Sequence, residues 1–360
     1  MEKILSVYRG CFLGMAAGDA MGNTVDDLSW DAICAEYGPD GLLGYDLRNE
    51  GAQVTSYTQI AAFVANGLLL YLTRGRPGTQ LPFVTLSLRE WLKRQHFPRD
   101  PSKSMCWVAQ VPQLRRKLCR DARLLESLRF EKLGTLEKPI NSAASPGSIM
   151  AGAVMGLFFN PVRMEPSEIG TLAAQTVALT HGDPEAFLSA AVLGYTIAGI
   201  VQAPEEPLQV QFANAIDAVQ GQFAGQFPKA NDLAALLKKA IRMAKQAGTD
   251  PHEDMETLYC STAGQCLAGA IYACLTSHED FDTAMITAVN HSGKSAAVAA
   301  IAGAVLGAIL TEAELPEFYL ESLEAAEILR TLSDDLAQGS PARGLFDDNW
   351  DHKYNQGLPL

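Results

Sequence analysis

Apolar residues recur along most of this chain at intervals of three and four positions, which places them on one face of an α-helix. The pattern predicts helices at Ile60–Leu72, Met150–Phe158, Ile169–Leu179, Ala186–Val201, Leu233–Ala247, Cys266–Leu275 and Ala296–Leu310. Alternation with a period of two, typical of half-buried strands, is scarce. Proline and glycine fall mainly between the helices and indicate loops at Gly75–Gly78, Pro161, Gly182–Pro184 and Pro204–Pro207. The sequence therefore predicts an all-α protein.

Two helical segments are rich in small residues. The last predicted helix reads AAVAAIAGAVLGAIL, and small side chains let helix backbones approach closely at the centre of a bundle. Near the N-terminus Gly10, Gly14, Gly18 and Gly22 recur every fourth residue, which aligns them along one side of a helix. Taken alone, this row indicates a close helix contact, with Asp19 as a capping or network residue.

The composition favours one large core. Hydrophobic residues make up 48% of the 360 residues and charged residues 19%, so the chain can bury a sizeable interior. No low-complexity stretch is long enough to separate two domains. We predict one compact domain over residues 1–340 and a C-terminal acidic tail over residues 341–360, packed on the domain or extending from it.

Charge and cysteine content narrow the partners and the compartment. The net charge of −13 repels polyanions, so nucleic-acid binding is not expected. One basic cluster is predicted to form the solvated face of a helix: Arg115, Arg116, Lys117, Arg120 and Arg123. No secretory signal or uninterrupted apolar stretch of about eighteen residues is apparent. Seven cysteines without a CxxC pair indicate reduced thiols, so we expect a cytoplasmic protein that does not span a membrane.

Four polar segments accompany the helices. They read GDAMGNTVD at residues 18–26, TSYT at residues 55–58, THG at residues 180–182 and SGKSAA at residues 292–297. In this order and spacing they resemble the ADP-ribosylglycohydrolase family, over residues 10 to about 337. The resemblance implies a compact orthogonal helical bundle. It also implies two magnesium ions, bound by aspartates of the second and fourth segments, which activate water to cleave ADP-ribose from its acceptor.

The aspartates that bind magnesium in that family are replaced here. The family motif TDDT corresponds to Thr55–Thr58, and GGDTDT corresponds to Ser292–Ala297. Magnesium needs several oxygen ligands, chiefly carboxylates, and neutral hydroxyls are poor substitutes. Lys294 would in addition place an ammonium where a cation is bound. We therefore predict that the magnesium pair is absent and that the protein uses no other cofactor.

The resemblance also identifies candidate site residues. Asp19, Asp26 and Lys294 are the candidate catalytic residues, with Asp26 matching the family glutamate and Lys294 expected to face Asp19 or Asp26. The candidate ligand-binding residues are Thr55, Ser56, Tyr57, Thr58, Ser145, Gly147, Ser148, His181, Ser292, Gly293 and Ser295. Backbone N–H groups of the glycine-rich loop at residues 141–148 can receive phosphate oxygens, although Ala151 replaces a family arginine. His181 is interpreted as holding that loop by a hydrogen bond.

These residues leave three functions open. The favoured hypothesis is a protein that binds ADP-ribose, a related ribosyl or nucleotide ligand, or an ADP-ribosylated protein without magnesium-dependent hydrolysis. The alternative is a metal-independent hydrolase or lyase that uses Asp19 or Asp26 as general acid and base and Lys294 for electrostatic stabilisation. A structural, crystallin-like use is the third. An open polar cleft favours the first two, whereas a cleft filled by Tyr57 favours the third.

Overall fold

The structure, a computed structural model, describes residues 2–47, 51–96, 104–158, 166–246, 248–277, 280–341 and 347–355. Its helices are α1 (Glu2–Asn23), α2 (Trp30–Tyr37), α3 (Ser56–Arg74), α4 (Gln80–His96), α5 (Ala122–Ser127), α6 (Ala151–Phe158), α7 (Pro166–Ala178), α8 (Pro184–Gln202), α9 (Leu208–Phe223), α10 (Lys229–Met243), α11 (Pro251–Leu258), α12 (Ala263–Thr276), α13 (Phe281–Val289), α14 (Ser295–Glu314), α15 (Glu317–Glu321), α16 (Ala326–Gln338) and α17 (Asp348–Tyr354). Within these residues the extended pairing is one isolated bridge between Ala52 and Leu323. The prediction of an all-α fold is confirmed.

Each of the predicted helices overlaps a helix of the structure. α10 lies earlier in the chain than predicted, since it begins at Lys229 and ends at Met243. The predicted end at residue 247 lies outside the described residues. Pro161 also lies outside them. In α14 the regular helix ends where predicted, since Thr311 has a φ of 62°. The predicted helices do not include α4, α9, α13 and α16, although Leu329, Leu332 and Leu336 of α16 recur at helical spacing.

The centre of the fold is the contact between α1 and α14. A Cβ atom added at Gly10, Gly14 or Gly18 would lie 2.0–2.2 Å from a backbone carbonyl oxygen of α14. Gly303 and Gly307 of α14 are equally close to the backbone of α1. The two backbones therefore touch directly, and the glycine row is explained by packing.

Among the helices that the structure describes, α8 and α14 are long and apolar enough to cross a membrane by length and composition. In each, 72% of the apolar window is buried inside the protein. Their hydropathy is therefore accounted for by their place in the core.

The C-terminal segment forms α17 against the body of the protein. The indole of Trp350 is buried, and its Nε1–H donates to the Thr73 hydroxyl at 3.0 Å. The Tyr354 hydroxyl donates to Asp335 at 2.7 Å, and Lys353 forms an ion pair with the same carboxylate. The described part of the predicted tail thus packs on the domain.

The prediction that five basic residues share one helix face is wrong. Arg115 ends a 3₁₀ turn at Pro112–Arg115, residues 116–120 are not helical, and Arg123 lies in α5. Arg116 forms an ion pair with Glu324 at 2.7 Å, whereas Arg120 points to Asp26 at 3.1 Å. The charged spacing resembled a helix, but the chain here passes across the surface in loops and brings Arg120 to the candidate site.

Candidate functional site

A cleft lies where the C-terminal end of α1 meets the N-terminal ends of α3 and α14. Its volume is about 240 Å³. Asp26, Tyr57 and Lys294 line it, and so do Asp121 and Gly147, which lie in other segments of the chain. Three of the four polar segments, at residues 18–26, 55–58 and 292–297, thus contribute residues to one opening, whereas the THG segment at residues 180–182 does not line it.

The cleft continues into two neighbouring recesses. A larger one of about 500 Å³ shares Asn23, Leu118 and Arg120 with it. A recess of about 270 Å³ shares Lys294 and is lined by Ser292 and Gly293. Ser292 and Gly293 therefore lie on the far side of Lys294 from the central cleft.

Asp19 is withdrawn from this opening and holds the start of α3. It is fully buried, and its carboxylate accepts hydrogen bonds from the backbone N–H groups of Thr55 and Thr58 at 2.8 and 3.1 Å. Both threonine hydroxyls also donate to it at 2.6 Å. Burial raises the pKa of Asp19 to about 6, although these hydrogen bonds oppose the shift. Both oxygens of its carboxylate accept hydrogen bonds at the start of α3. Asp19, which the sequence analysis predicts to be catalytic, therefore holds the start of that helix in the structure.

The threonines that remain of the second motif therefore serve the fold, while the two residues between them face the cleft. Ser56 and Tyr57 occupy the positions of the family aspartates and both line the opening. The Tyr57 side chain is 9% exposed, and burial raises its pKa well above the ordinary value. Because a volume of about 240 Å³ remains beside it, Tyr57 forms a wall of the cleft and does not fill it.

Lys294 forms an ion pair with Asp27. The sequence analysis expects it to face Asp19 or Asp26 instead. Its Nζ lies 2.7 and 2.8 Å from the two carboxylate oxygens of Asp27. Asp27 has a φ of 66°, and its N–H donates to the Gly293 carbonyl at 3.1 Å, while the Lys294 N–H donates to Cys260 at 2.8 Å. This left-handed turn, which sequence reasoning does not reveal, brings Asp27 over the lysine.

Asp26 lies between a cation and a helix N-terminus. Its carboxylate accepts a hydrogen bond from the Ala296 N–H at 3.1 Å and pairs with Arg120 at 3.1 Å. Burial raises the pKa of Asp26, and the Ala296 hydrogen bond and the charges of Arg120 and Lys294 oppose the shift. Asp26 is thus a nearly buried carboxylate at the edge of the cleft.

Asp121 is a site residue that the sequence analysis misses. It caps α5 by accepting the Leu124 N–H at 3.0 Å, and its other oxygen accepts from the Ser145 hydroxyl at 2.7 Å and from His181 Nε2–H at 3.0 Å. Burial raises its pKa, but the hydrogen bond and the attraction from His181, with the bonds from Leu124 and Ser145, hold the pKa well below the ordinary value. The signal available in the sequence was the position of Asp121 just before α5, which is typical of a helix cap. That position does not reveal that Ser145 and His181, distant in sequence, donate to its carboxylate.

Behind Asp121 the predicted loop residues form a buried network. His181 is fully buried, and its Nδ1 lies 2.8 Å from the Thr180 hydroxyl, which lies 3.1 Å from the Ser148 hydroxyl. Ser148 thus supports the wall. The Ser295 hydroxyl is also buried and donates to the Val289 carbonyl at 2.9 Å, so it faces the C-terminal end of α13 rather than the cleft.

The compact helical bundle and the position of its cleft now define the class. The family model described as ADP-ribosylglycohydrolase matches residues 1–345. An uncharacterized protein of Archaeoglobus fulgidus is 23% identical over 333 residues, which is 91% of this chain and 95% of that protein. A solved structure titled "ADP-ribosylglycohydrolase-related protein complex" has a TM-score of 0.56 at 21% identity, with 95% of this chain and all of that chain covered. This chain belongs to the ADP-ribosylglycohydrolase family, of which it is a divergent member.

Proposed function

We propose that this protein binds ADP-ribose, a related ribosyl or nucleotide ligand, or an ADP-ribosylated protein in the cytoplasm, without magnesium and without the family's magnesium-dependent hydrolysis. The observation that carries the proposal is the open cleft whose wall contains Ser56, Tyr57 and Lys294 at positions where the family binds metal. The cleft has been kept while the carboxylates have been replaced.

The donor chemistry does not fit two magnesium ions. Among the described residues no group of three or more histidine, cysteine, aspartate or glutamate side chains is placed to hold a metal. Asp26 and Asp121 are committed to Arg120 and His181, and Ala296, at a family aspartate position, has no donor in its side chain. Magnesium requires near-octahedral oxygen coordination, so we route no step of the proposed function through a metal.

The cleft offers contacts that suit a sugar. The carboxylates of Asp26 and Asp121 are acceptors for ribose hydroxyls, and the ring of Tyr57 supplies an apolar wall. Arg120 and Lys294 also line the cleft and bring positive charge beside the acceptors, each within an ion pair. A mostly preformed cleft with a few converging polar groups is the usual form of a small-molecule site.

Calorimetric titration with ADP-ribose in EDTA tests the proposal. We expect saturable binding, and a dissociation constant raised about tenfold in Lys294→Met, because one charge-assisted contact is lost. Lys238→Met is the matched control, since Lys238 loses the same charge in an ion pair with Asp217 on the α9–α10 surface. Absence of binding in the unaltered protein, or equal weakening by both substitutions, would contradict the proposal.

A second candidate function is metal-independent cleavage of a ribosyl bond. The observation that favours it is Asp26, a carboxyl at the cleft whose pKa is raised by burial and which is therefore suited to proton transfer. Hydrolysis of ADP-ribosyl-arginine in EDTA, abolished in Asp26→Asn while ADP-ribose binding persists, would support it. The crystallin-like alternative has less support, because Tyr57 leaves the cleft open.

A further inference from the structure

The part of the cleft wall formed by Asp121 and Ser145 contains a group of hydrogen-bond donors that converge on one point. The Ser145 hydroxyl and His181 Nε2–H both donate to the same oxygen of Asp121, at 2.7 and 3.0 Å. The Thr180 and Asn141 side chains hold this arrangement from behind, since Asn141 Nδ2–H donates to the Thr180 carbonyl at 2.8 Å. Converging donors on a fixed scaffold are the chemistry of an anion site.

Gly147 completes this site by allowing an anion to lie against the loop. A Cβ atom at this position would lie 2.2 Å from the same Asp121 oxygen, so only glycine admits the carboxylate. The side chain of Asp121 is 13% exposed, and the residue lines the cleft. The anion held by the loop is therefore part of the protein and is also in contact with the space that a ligand would enter.

We propose that Asp121 is an internal anion that occupies a latent phosphate site formed by Ser145, Gly147 and His181. While the carboxylate is in place, the donors are satisfied and a phosphate entering the cleft meets a like charge. The part of a ligand that lies against this loop is then uncharged and carries hydroxyl groups. This inference narrows the ligand class of the proposed function, but its test uses inorganic phosphate and so stands apart from ADP-ribose binding.

The charges around Asp121 support this assignment. The hydrogen bonds and the attraction from His181 hold its pKa well below the ordinary value, which favours the ionised carboxylate. The cations nearest to the opening are committed elsewhere: Arg120 pairs with Asp26, Arg123 with Glu126 and Lys294 with Asp27. None of these three cations forms an ion pair with Asp121.

The test is a titration of the full chain with inorganic phosphate, comparing the unaltered protein with Asp121→Ser. Serine vacates the carboxylate position but still caps a helix well, so α5 is retained. We expect the variant to bind phosphate on the order of tenfold more tightly than the unaltered protein, because donors to a charged group are released. Adding Ser145→Ala to this variant should reverse most of the gain.

Asp250→Ser is the matched control. Asp250 caps α11 by accepting the His252 N–H at 2.9 Å, so the substitution changes a cap and the net charge equally but lies away from the cleft. Tight phosphate binding by the unaltered protein, or an equal gain in Asp250→Ser, would overturn the proposal. An Asp121→Ser variant that binds phosphate no more tightly than the unaltered protein would also overturn it. If that variant does not fold, the titration is repeated with Asp121→Asn, which removes the charge while keeping the shape. This variant should also bind phosphate more tightly than the unaltered protein, by a smaller factor than expected for Asp121→Ser.

Discussion

The packed interface between α1 and α14 differs from the cleft at the end of this helix pair. Along their length α1 and α14 touch through backbone atoms, with Gly14 and Gly303 each leaving no room for a Cβ atom. At the cleft, Lys294 precedes the same α14, and with Tyr57 it stands where the family has carboxylates. The packed interface is made of small residues, whereas the cleft has residues other than carboxylates at the positions of the family motifs.

The difference follows from what each region tolerates. A side chain added at the interface collides with backbone, which cannot move away without separating the helices. A polar cleft open to water can exchange a carboxylate for a lysine or tyrosine, and removing clustered negative charge can even stabilise the fold. A fold can therefore persist after its site chemistry has changed, and family membership alone does not establish activity.

The largest expected effect comes from breaking the interface. In Gly14→Ala the new methyl group would lie 2.2 Å from the Gly303 carbonyl oxygen, and we expect a loss of about 3 kcal/mol or more in the free energy of unfolding. Gly221→Ala in α9 is the control, because nothing lies within 4 Å of its added Cβ atom. The control should be neutral or stabilising by about 0.5–1 kcal/mol. Urea denaturation of both variants measures the contrast, and equal stability would contradict it.

The next prediction restores the cleft's lost charges. Replacing Ser56, Tyr57, Lys294 and Ala296 together by aspartate should destabilise the protein by about 2 kcal/mol in EDTA, because like charges repel at close range. Magnesium should recover part of that loss by binding the folded state. Thermal unfolding with and without magnesium measures this, with the unaltered protein as control. If magnesium stabilised neither protein, these four positions would not be the ones that decide whether the cleft binds magnesium.

A third prediction concerns the buried contact that joins the two regions. The pKa of Asp19 is raised from 3.8 to about 6, so the folded state binds more protons than the unfolded state between these values. Stability contributed by this group should fall as pH rises through that window, by at most about 3 kcal/mol at about 1.4 kcal/mol per pKa unit, and then remain constant.

Asp19→Asn checks this sign. Its amide can donate to the Thr55 hydroxyl and accept from the other donors, so the contact with α3 should survive. The difference in unfolding free energy between the two proteins should shift in favour of the Asp19→Asn variant as pH rises from about 4 to about 6.5. A pH-independent difference, measured by urea denaturation, would show that Asp19 is not the titrating group.

The smallest effect on stability is expected at the Lys294–Asp27 pair. Asp27 is 48% exposed, and exposed ion pairs contribute about 0–1 kcal/mol. Asp27→Asn should therefore change the free energy of unfolding by less than about 1 kcal/mol, since asparagine also tolerates the left-handed φ of 66°. Asp27→Ala should cost more, because alanine does not. Chemical denaturation of the pair of variants separates the charge from the backbone effect.

The sequence reveals the packed region better than the cleft. Helical spacing predicts the core helices, and the glycine row predicts a close contact, because both signals are local. The cleft depends on contacts between distant segments: Lys294 meets Asp27 through a left-handed turn, and Asp121 meets Ser145 and His181 through loops. The sequence likewise does not reveal that Asp19 accepts hydrogen bonds from Thr55 and Thr58. From the sequence alone, Asp19 is predicted to be catalytic.

The most direct test of the central claim is a measurement of metal binding to the purified protein. Manganese, a paramagnetic substitute for magnesium, is titrated against the protein and the free ion is followed by electron paramagnetic resonance, with the four-aspartate variant as comparison. We expect the free-ion signal of the unaltered protein to match buffer alone, and the variant to remove ions from solution. Removal of two manganese ions per chain by the unaltered protein, reversed by magnesium, would contradict the account.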